Sequence, residues 1–426
     1  MLKEIAKRRV VITGAGLVTP LGRNCGETFD KAAQGCSGID YITAFDTAGL
    51  PCRIGGQVDD SWLEGHEGAW QRFPSRGLRL LRTAAREAVG SAGLAEIQRR
   101  ERIGCAIGFH GDNPSVPDLL LIHRHFDGNA LDMGRIAAEG TYPATNFLAR
   151  KPDVAVSLMA TSLDCGGPAL SVTSACAAGS QAIGEAFRMI RNGSADVMVA
   201  GGGDSQLNFV GFIGFVLIKA LSSKYREPQK ASRPFDRKRN GFVMSEGAGI
   251  VVLEDHDHAR ARGARIMGEV LGYGASADAY RITDTHPKGL GACIAIRAAL
   301  DDADLAPDDI QYINAHGTST TQNDLTETLA VKEVFGTSAK QIPLSSNKSM
   351  IGHTIGGAGA IEAILTLVGM ERSIMLPTIN QEFRDPKCDL DYVPNEARLQ
   401  AHERALSNSF GFGGQNACLC LGRYHG

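Results

Sequence analysis

Residues 170–180, with the sequence LSVTSACAAGS, contain the pattern that decides the fold of this 426-residue chain. Apolar and β-branched residues up to Thr173 are typical of a buried strand, and the small residues after Cys176 begin a helix that we expect to end near Arg191. A buried strand followed closely by a helix is the repeating unit of α/β proteins. The segment therefore predicts an α/β fold in which Cys176 lies at the N-terminus of a helix.

Comparable units occur along the whole chain. Short apolar runs that end at Gly or at a turn predict buried strands at residues 8–18, 103–108, 196–203, 249–254, 310–315 and 417–421. Helical patterns separate these strands at residues 77–92, 177–192, 290–304 and 357–370. Residues 344–370 repeat the form of residues 170–192, with a strand end, a turn and an Ala/Gly-rich helix, and this similarity indicates an internal duplication.

The composition excludes several classes of protein. Lys plus Arg is 44 and Asp plus Glu is 47, so the net charge of 44 − 47 = −3 argues against nucleic-acid binding through bulk charge. The charged N-terminus and the lack of any apolar run of ~18 residues predict neither a signal peptide nor a membrane span. The ten cysteines form no C-x-x-C pair, so we expect reduced thiols and a cytoplasmic location. The turn Gly14-Ala15-Gly16 lacks the third glycine of a dinucleotide fingerprint.

Three residues are candidates for chemistry. A helix N-terminus favours a Cys176 thiolate and offers free N–H groups to an oxyanion, although the segment alone fits a small buried thiol equally well. His316 in NAHGTSTTQND and His353 in SSNKSMIGHTIGGAGAIE lie near predicted strand ends, with an ordinary surface or core histidine as the alternative. A zinc site is disfavoured because the long separations match no local ligand motif. One thiol with two histidines favours acyl transfer.

Two basic stretches suggest a surface for an acidic partner. One face of the helix predicted at 77–92 carries an arginine stripe, which consists of Arg76, Arg79, Arg82 and Arg86. Residues 219–239 contain eight Lys or Arg against two acidic residues, which gives a local charge of 8 − 2 = +6. The alternative interpretation of the stripe is a solvated outer face.

Six motifs occur in the order VVITGAGLVTPLG, VTSACAAGSQAIGEA, SRPFDRKRNGFVMSEGAG, NAHGTST, NKSMIGH and NSFGFGGQN. Together they resemble the β-ketoacyl-acyl-carrier-protein synthases, in particular the elongating type of type II fatty-acid and polyketide systems. The resemblance implies a thiolase-like fold with five layers, αβαβα, made of two similar halves. We expect residues 1–256 to carry the nucleophilic cysteine and residues 257–426 to carry both histidines.

The resemblance also implies a reaction and its partners. The reaction is a decarboxylative Claisen condensation of an acyl group held on Cys176 with malonyl-acyl carrier protein (ACP), which gives a β-ketoacyl-ACP. The expected partners are ACP and a second copy of the chain, or a chain-length-factor-like subunit in a heterodimer. The substrates are carried on the phosphopantetheine of ACP, and we expect no other cofactor, no metal, no nucleic acid and no membrane.

Individual roles follow from the same resemblance. Cys176 is the acyl acceptor, His316 and His353 serve decarboxylation, and Lys348 is oriented by Glu327. The backbone N–H groups of Cys176 and Phe410 stabilise the oxyanion. The implied substrate-binding residues are Thr318 and Thr320 at the pantetheine amide, Phe412 in a gating loop, Thr283, and Gly111 in the acyl pocket. The implied carrier-docking residues are Arg76, Arg79, Arg82 and Lys219.

The chain departs from the family pattern at residues 109–113, Phe-His-Gly-Asp-Asn, where relatives have a Gly-rich stretch with one bulky aliphatic residue. We expect Gly111 to leave room for a longer or stiffer acyl chain, and His110 and Asp112 to place polar groups at the pocket wall. Two competing hypotheses are an acyltransferase or hydrolase without condensation, and a non-catalytic partner subunit. The presence of the cysteine and both histidines argues against the second.

Overall fold

The computed structural model describes residues 7–63, 68–73, 75–94, 97–140, 142–282 and 284–426. Its strands are β1 (Val10–Val18), β2 (Ile39–Tyr41), β3 (Ile54–Gly56), β4 (Ile103–Gly108), β5 (Phe126–Asp127), β6 (Ala130–Leu131), β7 (Ala169–Val172), β8 (Val197–Ser205), β9 (Glu246–Asp255), β10 (Gly268–Ala277), β11 (Tyr312–Asn314), β12 (Leu344–Ser345), β13 (Ile374–Met375), β14 (Arg398–Leu399), β15 (Arg404–Phe410) and β16 (Gln415–Gly422). Its helices are α1 (Cys25–Ala33), α2 (Arg76–Ala92), α3 (Val116–His123), α4 (Met133–Glu139), α5 (Ala144–Ala149), α6 (Asp153–Leu163), α7 (Ala178–Arg191), α8 (Phe209–Leu217), α9 (His256–Ala261), α10 (Leu290–Ala303), α11 (Thr321–Phe335), α12 (Lys348–Ile351) and α13 (Ala358–Arg372).

Ten strands form one sheet in the order β12-β11-β15-β16-β10-β1-β9-β8-β4-β7. In chain order, the first set of five strands contains β1, β4, β7, β8 and β9, and the second set contains β10, β11, β12, β15 and β16. When the strands are numbered 1 to 5 along the chain within each set, the order from the centre of the sheet outward is 1-5-4-2-3 in both sets. The sets join where β1 pairs antiparallel with β10, through Val10–Ile12 and residues 268–270. The two similar halves of the expected fold are thereby confirmed.

Three hydrophobic clusters separate the layers. The central cluster contains α7 and α13, which pack between the two sets of strands. A second cluster lies under α2 and α6 on the outer face of the first set, and a third lies under α10 and α11 on the outer face of the second set. The order helix, sheet, helix, sheet, helix confirms the predicted αβαβα architecture.

The inner strands are apolar throughout because both of their faces are covered. In β16, Leu419 and Leu421 face the central cluster, whereas Cys418 and Cys420 face α10 and α11. Successive residues of a strand point to opposite faces, so a strand buried on both sides carries no polar alternation. This explains why apolar runs predicted β4 at residues 103–108 without error. The shorter β11 begins two residues after its predicted start at 310.

No helix in the described parts of the chain is long and apolar enough to span a membrane. The predicted division at residues 256 and 257 falls at the start of α9, between the last strand of the first set and the first strand of the second. That division stays a prediction.

Candidate active site

Cys176 lies in a single turn of 3₁₀ helix, Ala175–Ala177, that leads directly into α7. Ala175 has a φ of 46°, in the left-handed region that residues with a side chain seldom adopt. This turn redirects the chain between the end of β7 and the helix, and it leaves the Cys176 side chain buried at the helix N-terminus. The predicted position of the thiol at the start of a helix is therefore observed.

Both predicted histidines reach the thiol from the second set of strands. His353 Nε2 lies 3.0 Å from Cys176 Sγ, and the His353 main chain is held by hydrogen bonds with Val243 and Ser245. His316 follows the end of β11, and its ring centroid is 5.4 Å from that of His353. The strand ends of the two halves thus meet at one site, with all three side chains buried.

Burial determines the protonation of the site. It raises the pKa of the Cys176 thiol to about 11, although the Lys348 charge and the N–H groups of Phe412 and Cys176 act in the opposite direction. It also holds the pKa of His316 and of His353 well below the usual value, and the Lys348 charge adds to this effect. The helix N-terminus was expected to favour a thiolate, but desolvation of the charge outweighs it. The resting site contains a neutral thiol beside a neutral imidazole.

Lys348 supplies the positive charge of the site. Its ammonium pairs with Glu362 of α13, and both side chains are about 1% exposed. Nζ also lies 3.3 Å from His316 Nδ1, so an ammonium donor there leaves the imidazole proton on Nε2. The prediction that Glu327 orients Lys348 is wrong, because Glu362 holds that ammonium.

Glu327 has a different place in the site. Its carboxylate accepts hydrogen bonds of 2.8 Å from the backbone N–H groups of both His316 and Gly317, and a third bond from Asn408. Burial raises the pKa of Glu327 to about 7, against the lowering effect of these N–H donors. Glu327 therefore fixes the turn that carries His316.

One of the two oxyanion donors also differs from the prediction. The backbone N–H of Phe412, together with that of Cys176, points toward Cys176 Sγ. Phe410 is two residues earlier, at the end of β15, where it pairs with Asn416 and places its ring 5.8 Å from the His316 ring. The chain turns after Phe410 through Gly413 and Gly414, which have φ of 85° and 74°, so the later phenylalanine N–H faces the sulfur. Assignment of this donor to Phe410 is wrong.

A narrow cavity of about 40 Å³ opens over Cys176, His316 and His353. Thr318 and Thr320 line it, and their hydroxyl oxygens are 2.9 Å apart. Their role at the pantetheine amide stays a prediction. Sequence reasoning missed further lining residues, which are Phe242, Asp284, Thr285 and Asn323. Thr283, which was expected to bind substrate, lies outside the described residues.

Gly111 does not border this cavity. Its φ is 82°, and a Cβ at this position would lie 2.1 Å from the carbonyl oxygen of Arg150. The glycine is therefore required by the backbone and by the close approach of the neighbouring chain. The expectation that it leaves room for an acyl chain is wrong.

The arginine stripe is partly neutralised by carboxylates. Arg76 forms a bidentate pair with the buried Glu246 and a further pair with Asp60, which Arg79 also contacts. Arg76 is therefore not available to a partner, and its assignment to docking is wrong. Arg82 lies on the same half-buried face of α2, whereas Lys219 is exposed after α8.

The residues 219–239 form a second, larger basic surface. A groove of about 840 Å³ is lined by five cations, which are Lys224, Arg226, Lys230, Arg233 and Lys238. Lys230 and Arg233 pair with Glu227 and Glu382. For the other three, the described residues contain no paired carboxylate. Asn240 lines the groove and Phe242 lines the cavity over Cys176, so the two openings are two residues apart along the chain.

Cys176, His316 and His353 also present three potential metal-ligating atoms within 4.8 Å of one another. The fit is poor, because the Lys348 ammonium lies against His316 and would repel a dication at this position. The expectation that the site needs no metal stays a prediction.

Family models match most of the chain. The model described as "Beta-ketoacyl synthase, N-terminal domain" matches residues 7–259, and the model described as "Beta-ketoacyl synthase, C-terminal domain" matches residues 267–382. The thiolase-like fold and the Cys-His-His site define a condensing enzyme of the acyltransferase type. The chain belongs to the β-ketoacyl synthase family, so the predicted resemblance is confirmed.

Relatives resemble the chain over nearly its full length. A "3-oxoacyl-[acyl-carrier-protein] synthase 2" from Synechocystis sp. is 41% identical over 99% of this chain and 100% of its own length. Among solved structures, "The ishigamide ketosynthase/chain length factor" is 34% identical with a TM-score of 0.85, and the alignment covers 99% of this chain and 100% of that one. A type II polyketide ketosynthase in complex with its acyl carrier protein, titled AntDE:AntF, is 33% identical with the same TM-score and covers 98% and 100%.

Proposed function

We propose that this enzyme condenses an acyl group held on Cys176 with a malonyl group carried by an acyl carrier protein, with loss of CO₂. The observation that carries the proposal is a buried neutral thiol 3.0 Å from His353 Nε2, with two backbone N–H groups facing the sulfur. In the first half-reaction, the thiol proton passes to His353 and Sγ forms a bond to the thioester carbonyl carbon. The N–H groups of Cys176 and Phe412 stabilise the oxyanion, and the carrier thiol leaves with the proton.

In the second half-reaction, the bond from the malonyl Cα to the carboxylate breaks and CO₂ leaves. His353, which is unprotonated at Nε2 after the first half-reaction, takes up one proton from solvent. The electron pair forms an enolate, whose oxygen accepts hydrogen bonds from Nε2–H of His316 and His353. The enolate carbon then attacks the acyl carbon, the bond to Sγ breaks, and the sulfur receives the proton held by His353. Lys348 is a positioning residue, because its contact with His316 Nδ1 keeps the proton on the nitrogen that faces the substrate.

The experiment that tests this division separates the two half-reactions. Cys176→Ala should abolish acyl-enzyme formation, measured by intact-mass spectrometry with acyl-ACP. His316→Ala should lower malonyl-ACP decarboxylation by roughly 10²–10³-fold, with a much smaller effect on acylation, as expected for the loss of one oxyanion donor. Equal loss of both half-reactions in a folded His316 variant would contradict the assignment.

We further propose that the carrier protein docks on the basic groove and Lys219. An acidic partner fits a surface with several unpaired cations beside the opening to Cys176. Lys224→Glu combined with Lys238→Glu should raise the KM for acyl-ACP and leave activity with acyl-pantetheine nearly unchanged, whereas Lys340→Glu, an exposed lysine elsewhere, should change neither. An unchanged KM at low salt would remove the groove from this role.

A second copy of the chain, or a chain-length-factor-like subunit, is the proposed partner in the assembly. Large apolar side chains are exposed on and near α3 and α5, and they include Leu119, Leu120, Phe126, Phe147 and Leu148. Exposed apolar groups of this kind mark interaction surfaces. Native mass spectrometry of the purified chain distinguishes a homodimer from a chain that needs a different partner. A cytoplasmic location stays a prediction.

A further inference from the structure

The internal repeat places a second histidine in a position equivalent to His316. Strands β4 and β11 hold the same place in the two sets of strands, and each is followed by a residue, a histidine and a glycine. These turns are Phe109-His110-Gly111 and Ala315-His316-Gly317, and both glycines have positive φ, 82° and 33°. His110 is therefore the repeat equivalent of His316.

The turn that carries the nucleophile has an equivalent as well. Ile355 has a φ of 48°, close to the 46° of Ala175, and it begins the 3₁₀ turn Ile355–Gly357 that leads into α13. Gly356 therefore corresponds to Cys176. The two turns pack directly against each other, so the second site lies next to the first.

His110 and Asp204 fill the space where Gly356 has no side chain. A Cβ on Gly356 would lie 2.9 Å from His110 Nδ1 and 3.1 Å from Asp204 Oδ2. Asp204 is buried and fixes the imidazole through a 2.6 Å contact with Nδ1, and Gln206 binds the other Asp204 oxygen. Burial lowers the pKa of His110, but the charge and the hydrogen bond of Asp204 outweigh this effect and raise the pKa above its usual value, which favours the charged imidazole. In that form Nδ1–H is donated to Asp204 and Nε2 also carries a proton. This Nε2 is buried and has no partner in the described parts of the chain.

Apolar side chains connect the thiol with this polar pair. Cys176 belongs to a hydrophobic cluster with Leu207, Phe212 and Ile355. Leu207 directly follows Gln206, and Ile355 directly precedes Gly356. The His110–Asp204 pair therefore lies next to the apolar residues that surround Cys176, and it is near enough for the Asp204 charge to act on the thiol. A buried donor without an acceptor is unfavourable, and a ligand oxygen would relieve this.

We propose that His110 is a specificity-determining residue, whose Nε2–H, oriented by Asp204, donates a hydrogen bond to a ketone or hydroxyl oxygen of the acyl chain on Cys176. The enzyme then selects oxygenated acyl chains over saturated chains of equal length. This inference rests on the proposed function, because it requires the acyl group to be attached to Cys176.

The test compares acylation of Cys176 by octanoyl-ACP and by a set of octanoyl-ACPs that each carry one ketone at a different carbon. In the wild type, at least one ketone substrate should acylate with a kcat/KM about tenfold above that of octanoyl-ACP, the size expected of one additional hydrogen bond. His110→Leu should abolish this preference, and His110→Gln, which keeps a donor, should retain part of it. His425→Leu, an exposed histidine near the C-terminus, should leave the preference unchanged.

His110→Leu would leave the buried Asp204 charge with only the neutral donors of Gln206 and Gly356. The double variant with Asp204→Asn therefore provides a second route if the single variant does not fold. A wild type that does not discriminate, or a preference that survives in either variant, would overturn the proposal. Failure of every probe to acylate Cys176 would instead show that the proposed function is wrong, and the proposal would fail with it.

Discussion

Arg76→Leu tests whether the stripe on α2 is structural or a docking surface. The guanidinium makes two bonds of 2.7 Å to Glu246, whose side chain is 0% exposed, and a third to the Val58 carbonyl. Removal of one partner from a buried ion pair costs about 3–5 kcal/mol, because the Glu246 charge stays desolvated and keeps only neutral donors, the Val58 N–H and the Ser205 hydroxyl. At a urea m value of roughly 3 kcal/mol per M, the unfolding midpoint should fall by about 1–1.7 M.

The matched control is Arg23→Leu, which breaks the exposed pair with Glu27. Exposed pairs contribute about 0–1 kcal/mol, so its urea midpoint should fall by no more than about 0.3 M. The second readout is the KM for acyl-ACP of folded Arg76→Leu below its unfolding transition, which should equal that of the wild type. A variant with wild-type stability and a raised KM would refute the structural role of Arg76 and restore it to docking.

Three further predictions concern other buried groups. The alkylation rate of Cys176 by iodoacetamide should rise about tenfold per pH unit from pH 7 to 10, since the thiol titrates near 11, and a plateau below pH 9 would contradict this. Gly111→Ala should destabilise the protein by about 1–3 kcal/mol through its positive φ, whereas Gly90→Ala, in open space on α2, should not. The folded pKa of Glu327 lies above its ordinary value of 4.5, so this group contributes stability at low pH that is lost as pH rises toward 7. The free energy of unfolding of Glu327→Gln should therefore rise by about 3 kcal/mol relative to that of the wild type as the pH is raised from low pH to 7. A change of opposite sign in urea unfolding would show that the N–H donors affect the pKa of Glu327 more than burial does.

The sequence predicted elements whose pattern is independent of distant contacts. Apolar runs such as 103–108 identify strands buried on both faces, and the residues around Cys176 identify the turn and helix. Glu362 was missed, although a single acidic residue in the apolar helix AGAIEAILTLVGM is the signal that could have found it. The partner of Lys348 could not be predicted, because it depends on which helix passes over the ammonium. Likewise, the φ of Gly111 and its contact with Arg150 are set by packing that no local pattern encodes.

The central layer has a consequence for how the chain folds during synthesis. One of its helices, α7, ends at Arg191, whereas the other, α13, begins 358 − 191 = 167 residues later at Ala358. At a translation rate of ~5–20 residues per second, the apolar inner face of the first set of strands is not covered by α13 for roughly 10–30 s. The nascent chain therefore exposes part of its central core until α13 has been made. During this time, before the active site assembles, we expect the chain to bind chaperones and to be prone to aggregation.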